Sequence, residues 1–302
     1  MARPALRGCS AACSCCIWAG YHAISSCTSG RTSPGDTMTI PAFGLGTFRL
    51  EGQVAFDAVS AALEFGYRLI DTAQFYNNEA DIGQAIAASK VPRREIFITT
   101  KVWPDNFNRF VPSVKESLLK LRIDACDLLL IHWPPLDRGV ALVDTLDALM
   151  QAKAQGLANE VGVSNFNIEQ MRQAIAVAGT GNIATNQVEL SPYFQNRKVA
   201  AFAESLGIRI TSYMTLARGK IIHDPVLQTI ATQHGATVVQ VALAWAMQLG
   251  IAVIPSSTKR ANLQSNLLAC KLRLTDDNMA QIAALDRNDR LINPAGLAPV
   301  WD

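Results

Sequence analysis

Short apolar runs alternate with amphipathic segments along most of this chain. The runs are rich in β-branched and aliphatic residues, and they end at about Thr47, Asp71, Lys101, His132, Val163, Val188, Tyr213 and Pro255. Between them, apolar residues recur every three or four positions, which is the period of a helix packed on one side. Val59, Ala62 and Leu63 mark such a face in the first segment. The pattern predicts eight strand–helix units between Met38 and Asp302.

Repeated strand–helix units require parallel strands joined by right-handed crossovers. Runs such as CDLLLIH (126–132) are apolar on both faces, as expected of strands that are covered on both sides. Eight units fit an α/β fold, the closed (β/α)8 or TIM barrel. The seventh unit is long enough for an extra helix, and a C-terminal helix around Asp277–Leu285 and a tail follow the eighth. An open doubly wound sheet is the alternative, but GLGTFRL (44–50) lacks the third glycine of the dinucleotide fingerprint.

Composition and charge narrow the class of protein. The chain is 49% apolar and 17% charged with a net charge of +2, which argues against a nucleic-acid or membrane-surface partner. No apolar run approaches the roughly 20 residues that span a bilayer. Cys126 and Cys270 fall in core-like patterns, and the body has no disulfide framework, so a reduced, cytoplasmic protein is expected.

Residues 1–37 differ in composition from the rest and are predicted to be a disordered extension, followed by one domain at 38–302. The extension is rich in Ser, Ala and Gly, and it holds five of the seven cysteines without a His spaced to complete a zinc site. Arg3 and Arg7 precede a short apolar stretch interrupted by Ser and Cys, so a signal peptide is the alternative. Met38 is an alternative first residue, because ordered-looking sequence begins there.

Polar side chains end several predicted strands. Asp71 ends the second, Lys101 the third and His132 the fourth, while Tyr76 lies in the loop after Asp71. A closed barrel brings the carboxyl ends of its strands to one rim, which is where barrel enzymes place their chemistry. The sequence therefore predicts that these side chains meet.

The four side chains suit protonation of an oxygen. A buried Lys101 needs a counter-ion, which Asp71 can supply, because an unpaired buried charge is costly. The ammonium should lower the pKa of Tyr76 from about 10, making it a usable general acid near neutral pH. His132 can donate to the same oxygen. With no nucleophile or metal set among them, these groups suit hydride addition to a carbonyl, with the hydride supplied by a cofactor.

Taken singly, each of these residues also has a structural interpretation. Asp71 and Lys101 could form a buried ion pair and nothing more. His132 could be a hydrogen-bonded core residue. Ser164 and Asn165, after the fifth strand, could cap a helix that starts near Asn167.

Seven separated stretches resemble motifs of the aldo-keto reductase family. They are GYRLIDTAQFYNNE (66–79), ITTKVW (98–103), LLIHWP (129–134), GVSNF (162–166), NQVELSPY (186–193), ITSYMTLARG (210–219) and IPSSTKRANLQSNL (254–267). The resemblance covers nearly everything from Met38 to Asp302. Within the family, the chain is most similar to bacterial 2,5-diketo-D-gluconate reductases, above all the B form, which also acts on methylglyoxal.

This resemblance implies roles for the residues at the strand ends. Asp71, Tyr76, Lys101 and His132 would form a catalytic tetrad, with Tyr76 as proton donor and His132 orienting the carbonyl. The implied cofactor-binding residues are Ser164, Asn165 and Gln187 at the nicotinamide carboxamide, Tyr213 on the ring, Met214, Thr215 and Leu216 along the pyrophosphate, and Ser256, Ser257, Thr258, Lys259, Arg260 and Asn266 farther along.

Two positions depart from the pattern of NADPH-preferring members. Those members usually carry Lys after Ile-Pro and Arg six residues later, where this chain has Ser256 and Asn262. Lys259 and Arg260 can still make charge-assisted bonds to a 2′-phosphate. Cations at a helix start oppose the dipole, which indicates an anion nearby. We expect NADPH, with NADH as the alternative.

The pocket and tail suggest a small substrate. Phe48, Phe75, Trp103 and Trp133 are expected to wall the pocket, and the tail is expected to fold over its mouth with Trp301 as a contact. The resemblance then implies reduction of small aldehydes and ketones, such as methylglyoxal and 2,5-diketo-D-gluconate-like sugars, to alcohols.

Two other functions are compatible with the predicted barrel. The main alternative is a nicotinamide-binding sensor or regulatory subunit with little turnover. A sugar-phosphate isomerase on the same barrel would need a glycine-rich phosphate loop, which MTLARG (214–219) and IPSSTKR (254–260) do not match. No heptads or interface segments are apparent, so a monomer is expected.

Overall fold

The computed structural model of this chain describes residues 27–28, 39–136 and 139–302. The predicted extension at 1–37 lies outside these residues except for Cys27 and Thr28, and Met38 lies outside them too. No helix of the described part has both the length and the apolar character needed to cross a membrane.

In the described part of the chain, eight parallel strands follow one another around a single sheet in chain order. They are β1 (Gly44–Gly46), β2 (Leu69–Asp71), β3 (Phe97–Val102), β4 (Cys126–Ile131), β5 (Ala158–Ser164), β6 (Ile183–Glu189), β7 (Arg209–Tyr213) and β8 (Ala252–Val253). The sheet closes on itself, because the Val253 amide donates to the Ala42 carbonyl at 2.9 Å. The barrel is confirmed over the open doubly wound sheet.

Helices connect the strands and surround the barrel. Within the described residues they are α1 (Gly52–Phe65), α2 (Glu79–Ala88), α3 (Phe110–Leu121), α4 (Leu142–Ala154), α5 (Ile168–Ala178), α6 (Arg197–Ser205), α7 (Pro225–Gln233), α8 (Val238–Gln248), α9 (Arg260–Asn266) and α10 (Asp276–Ala283). The extra helix is confirmed, because both α7 and α8 lie between β7 and β8. The C-terminal helix is confirmed as α10.

The alternation of side chains along each strand places the functional residues inside the barrel. Leu69, Phe97, Leu128 and Leu130 form one buried cluster in the barrel interior. Successive strand residues point to opposite faces, so residues two or four positions farther along share that inward direction. Asp71, Lys101 and His132 stand in those positions, which puts them at the carboxyl end of inward-facing rows.

Outward-facing strand residues belong to a second and larger core between the barrel and its helices. Ile70, Ile98 and Leu129 belong to it, together with apolar side chains of the helices such as Val59. Each fully buried aliphatic side chain of this kind stabilises the fold by about 1.5–3 kcal/mol. The barrel thus presents a rigid rim on which loops of varied sequence can carry a site.

Candidate active site

A cleft of about 690 Å³ opens at the carboxyl ends of the strands. Most of the predicted site residues line it: Phe48, Asp71, Phe75, Tyr76, Trp103, His132, Trp133, Ser164, Asn165, Gln187, Tyr213, Met214, Thr215, Leu216, Ser256, Ser257 and Thr258. Lys101 lies directly beneath them, with no exposed surface. The rim of the barrel therefore brings together side chains that are far apart in the chain.

A buried ion pair joins β2 and β3. The Lys101 Nζ donates to the Asp71 Oδ1 at 2.5 Å and to the Thr72 carbonyl at 2.9 Å. Its third contact is the Tyr76 phenol oxygen, at 3.2 Å. The three donors of the ammonium are thus all used, which offsets much of the cost of burying the charge.

The net pKa shift of Tyr76 is opposite to the one expected from the sequence. Burial raises its pKa by more than the nearby Lys101 ammonium lowers it, so the prediction of a lowered pKa is wrong. The sequence indicated the neighbouring charge but not the degree of burial. At neutral pH the phenol therefore keeps its proton, which is the form that a proton donor requires.

Lys101 keeps its charge despite complete burial. Burial lowers its pKa, but the Asp71 carboxylate and Tyr76 together outweigh burial, and the net pKa lies above the ordinary value. A protonated Lys101 favours the phenolate that Tyr76 becomes when it gives up its proton.

His132 is held neutral among aromatic rings. Burial, followed by the nearby Lys101 ammonium, lowers its pKa well below 6.5. The ring packs edge-on against Tyr76 at 5.6 Å and Trp103 at 5.1 Å between centroids. Its Nδ1 is buried without a hydrogen-bond partner among the described residues. A neutral imidazole can donate one hydrogen bond, as a group that orients a carbonyl must, and accept another.

Gln187 links the ion pair to the residues expected to hold the cofactor. Its side-chain amide donates to the Asp71 Oδ2 at 2.7 Å. The Ser164 hydroxyl donates to the Gln187 carbonyl at 2.8 Å. The Asn165 amide donates to the His132 carbonyl at 3.0 Å. Ser164, Asn165 and Gln187 therefore lie together beside the tetrad.

The structural interpretation of Ser164 and Asn165 as helix caps is wrong. Helix α5 is capped by Asn167, whose side chain accepts from the Gln170 amide at 2.8 Å in a capping box. Asn165 instead adopts a left-handed backbone conformation with φ of 63°, and its Oδ1 accepts a 2.6 Å bond from the Tyr213 hydroxyl. Strained backbone of this kind concentrates at functional sites.

Residues after β8 divide into two groups. Ser256, Ser257 and Thr258 line the cleft, whereas Lys259, Arg260 and Asn266 do not. The Arg260 guanidinium pairs with Glu64 at 2.8 Å and lies over the Phe65 ring. The anion expected beside this helix start is thus present within the chain itself. Lys259 is exposed, with no ion-pair partner among the described residues.

Some cleft residues were not predicted from the sequence. Arg49, in the loop after β1, and Arg218 and Gly219, the last two residues of ITSYMTLARG (210–219), line the cleft, and both arginines are exposed. The two arginines could have been predicted as cleft residues, because each is a charged residue in a loop that follows a barrel strand. Ile292, Pro294 and Leu297 of the tail also line it, and no local pattern predicts that. Trp301 lies outside the lining residues but 6.4 Å from the Trp133 ring.

Known proteins share both the sequence pattern and the fold of this chain. The sequence model of the Aldo/keto reductase family matches residues 42–287. Methylglyoxal reductase DkgB of Salmonella typhi is 59% identical over 267 residues, and that of Yersinia pestis 58%; each alignment covers 88% of this chain and 100% of the relative. A crystal structure named as a proposed 2,5-diketo-D-gluconic acid reductase B has a TM-score of 0.86 at 42% identity, covering 93% of this chain and 99% of that one.

Proposed function

Because the chain belongs to the aldo/keto reductase family, we propose that it reduces methylglyoxal and similar small α-oxo aldehydes with NADPH. The observation that carries this proposal is the contact of Tyr76 with Lys101 at 3.2 Å beside a neutral His132. This set of groups delivers a proton to an oxygen that gains negative charge.

In the proposed mechanism Tyr76 is the general acid. His132 donates a hydrogen bond to the substrate carbonyl and holds it against the phenol. The carbonyl oxygen then takes the phenolic proton, and the buried Lys101 ammonium stabilises the phenolate that is left. Asp71 keeps that ammonium in place through its 2.5 Å contact. A reduced nicotinamide, when bound, supplies the hydride.

The residues beside the tetrad fit a nicotinamide. Ser164, Asn165 and Gln187 offer hydroxyl and amide groups of the kind that bind a carboxamide. Tyr213 places an aromatic ring in the same cleft wall. His132, which lines the same cleft, has a buried Nδ1 without a hydrogen-bond partner among the described residues.

The preference for NADPH over NADH rests on the loop after β8. Ser257 and Thr258 present hydroxyl groups to the cleft, and Lys259 follows them with an exposed ammonium. These groups can bind a 2′-phosphate. Ser256 and Asn262 lack the charge that NADPH-preferring members usually carry at those positions, so Lys259 is the main source of charge in this proposal.

The cleft suits a small carbonyl compound. Phe75 and Trp103 stack at 4.0 Å between centroids, and Phe48 lies 5.0 Å from the Tyr76 ring. These rings narrow the space around the phenol. A 2,5-diketo sugar acid is the second candidate, because the exposed guanidinium of Arg49 lines the same cleft and would attract a carboxylate.

The test is a substrate panel with the purified protein. NADPH oxidation would be followed with methylglyoxal, 2,5-diketo-D-gluconate and a bulky steroid ketone, and then repeated with NADH. We expect the highest kcat/KM with methylglyoxal and NADPH, and little turnover of the steroid. Tight NADPH binding without turnover of any carbonyl would overturn the proposal and favour a nicotinamide-binding sensor.

The same preparation tests the expected monomer. We propose that the single chain carries a complete site, since the tetrad and the cleft residues named above all come from one chain. Light scattering at the concentrations used for the kinetics should give the mass of one chain. A stable dimer would contradict this part of the proposal.

A further inference from the structure

The C-terminal segment, residues 291–302, forms part of the cleft wall. Ile292, Pro294 and Leu297 all line the cleft, although the segment contains no helix or strand. An irregular segment makes few backbone bonds of its own, so its position depends on the groups that hold it.

Glu189 holds the start of this segment. It is the last residue of β6 and is 1% exposed. One carboxylate oxygen accepts from the Leu291 amide at 2.7 Å, and the other accepts from the Ile292 amide at 2.8 Å. Both oxygens are therefore committed to two successive backbone amides. Such charge-assisted bonds are about twice as strong as neutral ones.

Glu189 has no part in the proposed proton transfer. A buried carboxylate is costly unless it is paired, and burial does raise the pKa of Glu189, against the effects of the two amides and the Arg290 and Arg218 guanidinium groups. The observed role of the buried Glu189 carboxylate is therefore structural: it binds the Leu291 and Ile292 amides.

A second set of contacts holds the far end of the segment. The Asp302 carboxylate accepts from the Ile168 amide at the start of α5, at 2.9 Å. The Asn167 side chain donates to the Val300 carbonyl, also at 2.9 Å. At this far end, the Trp301 ring lies under the Arg290 guanidinium at 3.6 Å, and its Nε1 donates to the Asn293 Oδ1 at 2.9 Å. The segment is thus held at both β6 and α5, and its two ends contact each other.

We propose that Glu189 is a positioning residue that fixes the outer wall of the cleft, and thereby sets how tightly a small carbonyl compound is held beside Tyr76. This rests on the proposed function for its kinetic consequence. With Glu189 removed, Ile292 and its neighbours lose their anchor and the wall loosens. A looser wall weakens the binding of substrate and transition state alike, so KM should rise while kcat changes little.

The experiment compares Glu189→Gln and Glu189→Ala with the matched control Glu204→Gln, an exposed glutamate on α6. The glutamine keeps the shape but can accept from only one of the two amides. Hydrogen exchange of the Leu291 and Ile292 amides should speed up by about tenfold or more in both Glu189 variants, the result of losing roughly 1.4 kcal/mol or more of protection, and not in the control.

The kinetic arm uses methylglyoxal and NADPH. We expect KM to rise by about five- to thirtyfold, the range for a loss of one or two kcal/mol. We expect kcat to stay within about twofold, since Glu189 contacts none of the tetrad residues. Glu189 neighbours Tyr213 in the β6–β7 ladder through its backbone, which neither substitution removes, so the NADPH Kd should also stay within about twofold. Unchanged exchange at both amides, or a fall in kcat with KM unchanged, would overturn the proposal.

A second variant and a separate interpretation of the exchange data keep the proposal testable if a variant fails to fold or if no carbonyl is reduced. Should Glu189→Ala fail to fold, Asp302→Ala releases the other end of the segment from the surface, and it should raise KM in the same direction without altering exchange at Leu291. Should the wild-type protein reduce no carbonyl at all, the proposed function fails. The exchange result then decides by itself whether Glu189 holds the segment.

Discussion

The side-chain amide of Gln187 donates a 2.7 Å hydrogen bond to the carboxylate of Asp71, across 116 positions of the chain. The other oxygen of that carboxylate accepts from Lys101. The residue expected to hold the nicotinamide carboxamide therefore also fixes the counter-ion of Lys101. Under the proposed function, binding of the cofactor and tuning of Tyr76 would share one hydrogen-bond network.

Gln187→Leu should weaken both functions together. It removes one partner of a buried carboxylate oxygen, which we expect to lower the free energy of unfolding by about 1–3 kcal/mol. The NADPH Kd should also rise, because a carboxamide contact is lost. Denaturant unfolding and fluorescence titration measure the two effects. An unchanged NADPH Kd would show that Gln187 serves only Asp71.

Tyr76→Phe should abolish most of the catalysis and leave binding intact. The variant loses only the proton donor, and general acid catalysis contributes about 10²–10⁴-fold. We expect kcat to fall by that amount while the NADPH Kd stays within about twofold. Steady-state kinetics and titration on the same sample are the measurements. Turnover equal to wild type would remove Tyr76 from the mechanism.

Lys101→Met should be destabilising for a reason separate from catalysis. It leaves the buried Asp71 carboxylate without its counter-ion, which costs about 3–5 kcal/mol. The double variant Asp71→Asn with Lys101→Met removes both charges, so its loss of stability should be clearly smaller than the sum of the two single losses. Activity should remain low in all three variants. Additive losses in denaturant unfolding would mean that the pair is not coupled.

Lys259→Ala should reduce affinity for NADPH without affecting NADH. An exposed, screened charge contributes modestly, so we expect the NADPH Kd to rise about three- to tenfold. The matched control is Arg260→Ala. Arg260 is paired with Glu64 at 2.8 Å and must leave that partner to reach a phosphate, so the effect should be smaller. A larger effect at Arg260 would reverse the assignment.

The buried neutral His132 predicts a loss of stability in acid. Its pKa in the folded protein lies well below 6.5, so below that pH the unfolded chain binds a proton that the folded protein refuses. The contribution of His132 is therefore complete above pH 6.5 and declines as the pH falls. The Tm of wild type should fall more steeply between about pH 7 and pH 5 than that of His132→Asn. An equal dependence of Tm on pH in wild type and in His132→Asn would show that His132 is not the cause of the acid destabilisation.

Most of the fold was determined by local pattern. Each predicted strand end lies within two residues of the observed one, from Asp71 in β2 to Tyr213 in β7. Gly156 and Gly207, which follow the ends of α4 and α6, have φ of 72° and 70°, the left-handed conformation that commonly ends a helix. Hydrophobic periodicity and turn residues are local features of the sequence, so they predict helices and strands without knowledge of distant contacts. The same pattern also predicted which polar residues end successive strands, and therefore which side chains lie at the rim of the barrel.

Relations between distant side chains were decided only by the tertiary structure. The net pKa of Tyr76, the bond from Gln187 to Asp71, the pairing of Arg260 with Glu64 and the hold of Glu189 on the tail all depend on burial and on partners far along the chain. Neither the burial of a side chain nor the identity of its distant partner can be predicted from the local periodicity of the sequence. The sequence by itself determined which polar groups reach the rim of the barrel. The packing of the whole chain determined the protonation state of each group and the partner that it binds.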